Sequence, residues 1–83
     1  MRILYFAWLR QKTGIDSEEL EMPSHITDVA GLIEWLKERN ENFAEALSDF
    51  ESIRVAVNQE FAEPDALVAQ GDEVAIFPPM TGG

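Results

Sequence analysis

The stretch Glu73-Val74-Ala75-Ile76-Phe77-Pro78-Pro79 decides the fold of this 83-residue chain. Its first five residues predict a strand, because β-branched and aromatic residues are typical of strands. The two prolines end that strand, since proline lacks the N–H that a sheet ladder needs and holds the backbone extended. Met80, Thr81 and the pair Gly82-Gly83 follow. We therefore expect a last strand that continues into a stiff, extended tail.

Four segments upstream predict the strands that this one joins. Arg2–Phe6 is apolar at successive positions and predicts a central strand with both faces covered. Ser17–Met22 predicts a second strand paired with the first. Ile53–Val57 alternates between apolar and other residues and predicts a third. After a turn at Asn58-Gln59-Glu60, the pair Phe61-Ala62 predicts a short edge strand.

One long helix and two short helical segments complete the pattern. Ala7–Lys12 predicts a single turn that Gly14 closes in the left-handed conformation, and Phe43–Leu47 predicts a short helix. Between them, Thr27 is expected to cap a helix at Asp28–Arg39. Its apolar residues recur at helical spacing and are expected to face the sheet: Val29, Leu32, Ile33 and Leu36.

This order of elements indicates an α+β fold of the β-grasp, or ubiquitin-like, type. An initial hairpin, a crossing helix and a last strand beside the first give a mixed sheet of about five strands, with one main helix packed on one face. We assign residues 1–77 to this domain and residues 78–83 to an extended C-terminal Gly-Gly tail.

Composition excludes several classes of function. Sixteen acidic residues against six basic ones give a net charge of −10, which argues against nucleic-acid binding. The chain has no cysteine and one histidine, His25, so neither a thiol nucleophile nor a metal site is expected. No apolar run is long enough to span a bilayer and no signal segment is visible, so we expect a cytoplasmic protein without membrane partners.

No set of side chains predicts catalysis within the chain. The serines lack a nucleophile-elbow context, and His25 has no acid–base partner and is expected in an exposed loop. The reactive group that remains is the terminal carboxylate of Gly83. Once a partner adenylates it with ATP, it can become an amide to a lysine, a thioester or a thiocarboxylate.

The segment Gly71–Gly83 resembles the tail of the molybdopterin synthase small-subunit family, the sulfur carriers of molybdenum cofactor biosynthesis. That family's pattern is G-D-E-V-A-x-F-P-P-V-[AT]-G-G, and Met80 stands here in place of the usual valine. Val55–Gln59 is similar to the family's third strand and turn. Phe6-Ala7, with Arg10 and Gly14, is similar to its first strand and short helix.

The resemblance implies a function for the tail. A ubiquitin-activating-like enzyme would use ATP to adenylate Gly83, and a sulfur donor would convert it to a thiocarboxylate. The tail would then enter the large subunit of molybdopterin synthase in a heterotetramer and supply sulfur to a bound pterin precursor. The resemblance assigns the catalytic side chains to the large subunit and no cofactor to this chain. The residues implied in partner binding are Phe77, Pro78, Pro79, Met80, Thr81 and Gly82.

Three alternatives remain open. A sulfur carrier of thiazole biosynthesis also ends in Gly-Gly, although the exit Phe77-Pro78-Pro79 favours the molybdopterin carrier. A ubiquitin-like modifier would form isopeptide bonds with lysines. A β-grasp interaction module would carry an idle tail.

Overall fold

The computed structural model describes residues 1–79, and these form a mixed sheet with helices. The strands are β1 (Arg2–Tyr5), β2 (Ser17–Glu19), β3 (Arg54–Val57), β4 (Glu60–Ala62) and β5 (Glu73–Phe77). The helices are α1 (Trp8–Thr13), α2 (Val29–Lys37) and α3 (Glu41–Ala46), with a 3₁₀ turn at Phe50–Ser52. The strand order β2-β1-β5-β3-β4 confirms the β-grasp fold.

Strand β5 lies at the centre of the sheet and points toward the tail. It pairs in parallel with β1, with Tyr5 opposite Ile76. On its other side it pairs antiparallel with β3, with Arg54 opposite Phe77. The prediction that the last strand lies beside the first is therefore confirmed. The pairing of β5 reaches Phe77 on the β3 edge and Ile76 on the β1 edge.

Helix α2 covers one face of the sheet and forms the core with it. The four helix residues predicted to face the sheet are all at most 1% exposed, which confirms that face. Against them lie the inward-facing strand residues Ile3, Tyr5, Val55, Val74 and Ile76, also buried. Val57 is only half-buried because it ends β3 beside an exposed turn.

The start of α2 corrects one prediction. Asp28, not Thr27, caps the helix: its Oδ1 accepts a hydrogen bond from the Gly31 N–H at 2.8 Å. The Thr27 carbonyl instead accepts from the Val68 N–H at 3.0 Å, which holds Thr27 in an extended connection. The helix also ends at Lys37 rather than Arg39, since the next two N–H groups bond three residues back and tighten the turn.

Other elements differ from prediction in their lengths. Helix α1 runs to Thr13, and Gly14 follows at φ 83° with its N–H bonded to the Arg10 carbonyl, as expected for a left-handed cap. Helix α3 begins earlier than predicted, because the Asn40 side chain caps it through the Phe43 N–H at 3.1 Å.

Strand β2 is shorter than predicted and ends at Glu19. Leu20 still bonds to the Met1 carbonyl at 2.8 Å, but β1 offers no partner beyond that point. Met22, predicted within the strand, instead exchanges two hydrogen bonds with the side-chain amide of Gln70. This residue is still buried, so the segment reaches the core without strand pairing.

A polar cluster on the core side joins β1, β2 and the end of α2. The buried Tyr5 hydroxyl donates to Glu18 at 2.8 Å, and Arg39 pairs with the same carboxylate at 2.6 Å. Arg39 also lies over the Phe43 ring, 4.9 Å from its centroid. Burial raises the pKa of the Tyr5 phenol well above its usual value, and the hydrogen bond to Glu18 raises it further.

A second polar cluster lies at the opposite end of β5 from the tail. The turn between β3 and β4 places Asn58 and Gln59 at φ 52° and 71°, as a tight hairpin with right-handed strand twist requires. The Asn58 amide donates to Asp72 at 3.1 Å and accepts from the Glu73 N–H at 3.0 Å. Asp72 also accepts from the Ala69 N–H at 2.9 Å, so this cluster fixes the start of β5.

Candidate functional site

The predicted site begins where β5 ends. Phe77, Pro78 and Pro79 follow one another at the end of the central strand, and each is partly exposed. The predicted residues Met80, Thr81, Gly82 and Gly83 lie outside the residues that the structure describes. The roles assigned to them, including the reactive carboxylate of Gly83, therefore stay predictions.

The face of the sheet opposite α2 is apolar along a row that crosses four strands. Leu4 of β1 lies opposite Ala75 of β5, which lies opposite Ala56 of β3. Ala56 in turn lies opposite Phe61 of β4. Since alternate residues of a strand share a face, Phe77 lies on the same side as Ala75. We call these five residues the outer face.

Phe61 is the most exposed aromatic residue of the outer face. The residue is 82% exposed, and its ring lies 5.9 Å from the Phe77 ring, centroid to centroid. Phe77 was predicted to bind a partner, whereas Phe61 was predicted only as part of an edge strand. The sequence did contain a signal for a role of Phe61 in binding. A large aromatic residue stands on a short edge strand beside acidic residues, whereas an edge strand that faces only solvent is typically polar.

The segment after β1 adds exposed aromatic surface near the root of the tail. The Phe6 N–H bonds to the Ile76 carbonyl at 3.1 Å, so Phe6 lies beside the end of β5. Phe6 and Trp8 are both exposed large apolar residues. Ala7 between them has φ 56°, a conformation that favours glycine and costs an L-residue about 1–3 kcal/mol.

A groove of about 600 Å³ opens between β4 and the root of the tail. Phe61, Phe77 and Pro79 contribute apolar walls, and Arg54 contributes a cation. The Arg54 Nη1 donates to the carbonyl oxygens of Glu51 at 3.0 Å and Ile53 at 2.8 Å. These bonds hold the guanidinium beside the end of β5. We call this cleft the Arg54 groove.

The described residues form an exposed apolar surface beside the root of the tail. Across residues 1–79, no three His, Cys, Asp or Glu side chains come close enough together to hold a metal ion. His25 is exposed in the loop before α2, as predicted. The sheet has an apolar face, and Pro78 and Pro79 follow directly on its central strand.

None of the helices within residues 1–79 combines the length and the apolar character that crossing a membrane requires.

Comparisons with known proteins place this arrangement in a family. The model of the ThiS family matches residues 3–83. The molybdopterin synthase sulfur carrier subunit of Haemophilus influenzae is 34% identical over 83 residues, covering 100% of this chain and 99% of that protein. The structure of a putative molybdopterin converting factor, subunit 1, from Pyrococcus furiosus superposes with a TM-score of 0.77 at 36% identity, covering 95% of each chain. That of SAMP1 from Haloferax volcanii has a TM-score of 0.75 at 26% identity, covering 100% of this chain and 98% of that one. The chain therefore belongs to the ThiS family.

Proposed function

We propose that this chain is the sulfur-carrier subunit of a molybdopterin synthase. The observation that carries the proposal is the position of β5, which runs through the centre of the sheet beside the apolar outer face and leads directly into the Gly-Gly tail. Full-length similarity to a relative named as such a carrier supports the same function.

The chemistry uses the Gly83 carboxylate and partners that act on it. An adenylating enzyme joins the carboxylate to AMP from ATP and releases pyrophosphate. Hydrosulfide supplied by a sulfur donor then attacks the acyl carbon, AMP leaves and the sulfur loses its proton, so that a thiocarboxylate remains. Transfer of that sulfur to a pterin precursor returns the carboxylate after hydrolysis. Glycine suits each step because no side chain hinders the acyl carbon.

The outer face supplies a docking surface for the large subunit. Apolar sheet surface with exposed aromatic residues is typical of binding sites, and here it adjoins the tail. Residues 78–83, if extended, reach about 20 Å at 3.3–3.6 Å per residue. The body of the domain would stay outside the partner while the tail enters its active site, where the large subunit holds the pterin and provides the catalytic side chains. We propose an assembly of two small and two large subunits.

Mass spectrometry of the intact chain tests the function. The chain is incubated with an adenylating enzyme, ATP and a sulfur donor, and should gain the mass difference of sulfur for oxygen on its C-terminal peptide. A variant lacking Gly83 moves the carboxylate back by one residue and should lose activity, because about 1 Å of misplacement at a reacting centre costs about a hundredfold.

The controls separate chemistry from folding. A chain with one residue added after Gly83 should also be inactive, and both variants should melt like the wild type, since the described core is complete without the tail. The proposal fails if the wild type never gains sulfur, or if the shortened chain still supports full molybdopterin formation.

The similarity to SAMP1 supports one alternative function from a different functional class. A protein modifier would use the same activated glycine to acylate lysine amines, forming stable conjugates. Isopeptide-linked products in a cell extract, with no free thiocarboxylate on the chain, would favour that function over sulfur transfer. A thiazole sulfur carrier would form the thiocarboxylate but would not support molybdopterin formation.

A further inference from the structure

Arg54 is the one basic residue between residues 40 and 79, a stretch whose other charged residues are all acidic. It begins β3, and Val55 next to it is buried in the core. Because successive side chains of a strand point to opposite faces, the Arg54 side chain lies on the same side of the sheet as Ala56 of the outer face. Its cross-strand neighbour there is Phe77. A single cation therefore stands among apolar residues where β5 ends.

Backbone carbonyls set the position of this cation. The Arg54 Nη1 donates to the Glu51 and Ile53 carbonyls, and among residues 1–79 the Nε and Nη2 atoms have no hydrogen-bond partner. The ion pairs found within the same residues do not include Arg54. Since a guanidinium carries five N–H donors in a planar fork, Arg54 has donors to offer to a partner.

The other walls of the Arg54 groove restrict which partner group can bind there. Phe61, Phe77 and Pro79 are apolar, so an ion pair formed there beneath a covering partner is shielded from water and stronger than at an open surface. Glu51 and Glu63 line the same groove and repel a carboxylate placed anywhere except against the guanidinium. The groove therefore favours an acidic partner group at one position and penalises it at the neighbouring positions.

We propose that Arg54 binds a carboxylate of the molybdopterin synthase large subunit when that subunit covers the outer face, and that this ion pair fixes the orientation in which the domain docks. The inference rests on the proposed function, in which the large subunit binds the outer face. At the centre of this face, Leu4, Ala75 and Ala56 are aliphatic and two of them are small, so apolar contact there does little to restrict rotation of the partner. Charge pairs across an interface fix its register, and the arginine fork matches a carboxylate in two parallel hydrogen bonds.

The location of the pair suits the delivery of the tail. Arg54 lies directly opposite Phe77, and neighbouring strands of a sheet are about 4.8 Å apart. A rotation of the docked domain about the ion pair therefore displaces the end of β5 less than any more distant part of the sheet. An ion pair at this point holds the start of the tail in place even where the rest of the interface shifts.

Isothermal titration calorimetry of the whole chain with the large subunit tests the ion pair. Arg54→Gln should raise Kd at least about tenfold, because it leaves the partner's carboxylate buried and unpaired. Arg54→Lys keeps the charge without the fork and should give an intermediate Kd. Arg54→Glu should bind most weakly, and a lysine in place of one acidic residue of the large subunit should restore its affinity, because the exchanged charges attract again.

Arg2→Gln is the matched control. Arg2 is an exposed arginine whose register partners are Glu19 and Glu73, so its charge is balanced within the chain and its loss should change Kd by less than about twofold. Denaturant melts of all variants check that the fold is kept. Equal losses of affinity in Arg54→Gln and Arg2→Gln overturn the proposal. So does an Arg54→Glu chain whose affinity no single charge exchange in the large subunit restores.

Failure of this inference and failure of the proposed function give different results. Formation of the thiocarboxylate needs no large subunit, so it is measured independently of the ion pair. If the wild type gains sulfur and binds the large subunit, and Arg54→Gln binds it equally well, only the ion pair is refuted. A wild type that gains no sulfur or does not bind the large subunit contradicts the proposed function, and the ion pair with it.

Discussion

Phe61 and Leu67 form a matched pair for testing whether the outer face binds the large subunit. Both are large apolar residues at the surface, 82% and 79% exposed, but only Phe61 lies on the outer face. A Phe side chain covers about 150–250 Å² when fully buried, so about 120–200 Å² of Phe61 is available to a partner. At about 25 cal/mol per Å² this area corresponds to at most about 3–5 kcal/mol.

Costs of association reduce that upper bound, so we expect Phe61→Ala to weaken the complex by about 2 kcal/mol, or roughly thirtyfold in Kd. Leu67→Ala should leave Kd unchanged. Isothermal titration calorimetry with the large subunit measures both, and a denaturant melt of each variant checks the fold. Phe61→Ala should cost no more than about 1 kcal/mol of unfolding free energy, through lost contact with Phe77. Equal affinities of the two variants would remove Phe61 from the interface.

Three further predictions concern the body of the domain. Leu32→Ala should lower the unfolding free energy by about 2–5 kcal/mol in a urea melt, because Leu32 is fully buried on the sheet-facing side of α2, and a smaller loss would contradict that packing. The unfolding free energy should fall as pH rises above about 10, because folding raises the pKa of Tyr5 and the phenol of the unfolded chain loses its proton first. Tyr5→Phe should flatten this decline, and an unchanged slope of unfolding free energy against pH would contradict its assignment to Tyr5. Ala7→Gly should raise the unfolding free energy by about 1 kcal/mol, because strain at φ 56° exceeds the entropic cost of glycine; a lower melting temperature would show that it does not.

Features that depend on neighbours in the chain were predictable from the sequence. Apolar spacing in 29–36 identified the buried face of α2, and the run of strand formers before Pro78 identified β5. The left-handed cap at Gly14 followed from glycine's freedom at positive φ. Choice of cap was harder: Thr27 and Asp28 are both good caps, and the pairing of Thr27 with Val68, distant in sequence, decides between them.

Features that depend on register between strands were not predictable. Phe61 joins the outer face because it lies opposite Ala56, and Arg54 reaches the root of the tail because it lies opposite Phe77. Asn58 was predicted only as part of a turn, and Asp72 was noted only within the segment that resembles the family's tail. The structure shows that they bind each other and fix the start of β5, so their contribution is structural.

The parallel pairing of β1 with β5 has a mechanical consequence. Both strands run in the same direction, so pulling on the tail while the N-terminus is held loads their hydrogen bonds in shear, and the four register pairs resist together. β3 holds the other edge of β5 over four more pairs. Bonds loaded in shear must break nearly at once, whereas bonds opened from one end break in turn. A partner that pulls on the tail therefore loads a strand that transmits the force to the whole sheet. This strand does not separate from the sheet one hydrogen bond at a time.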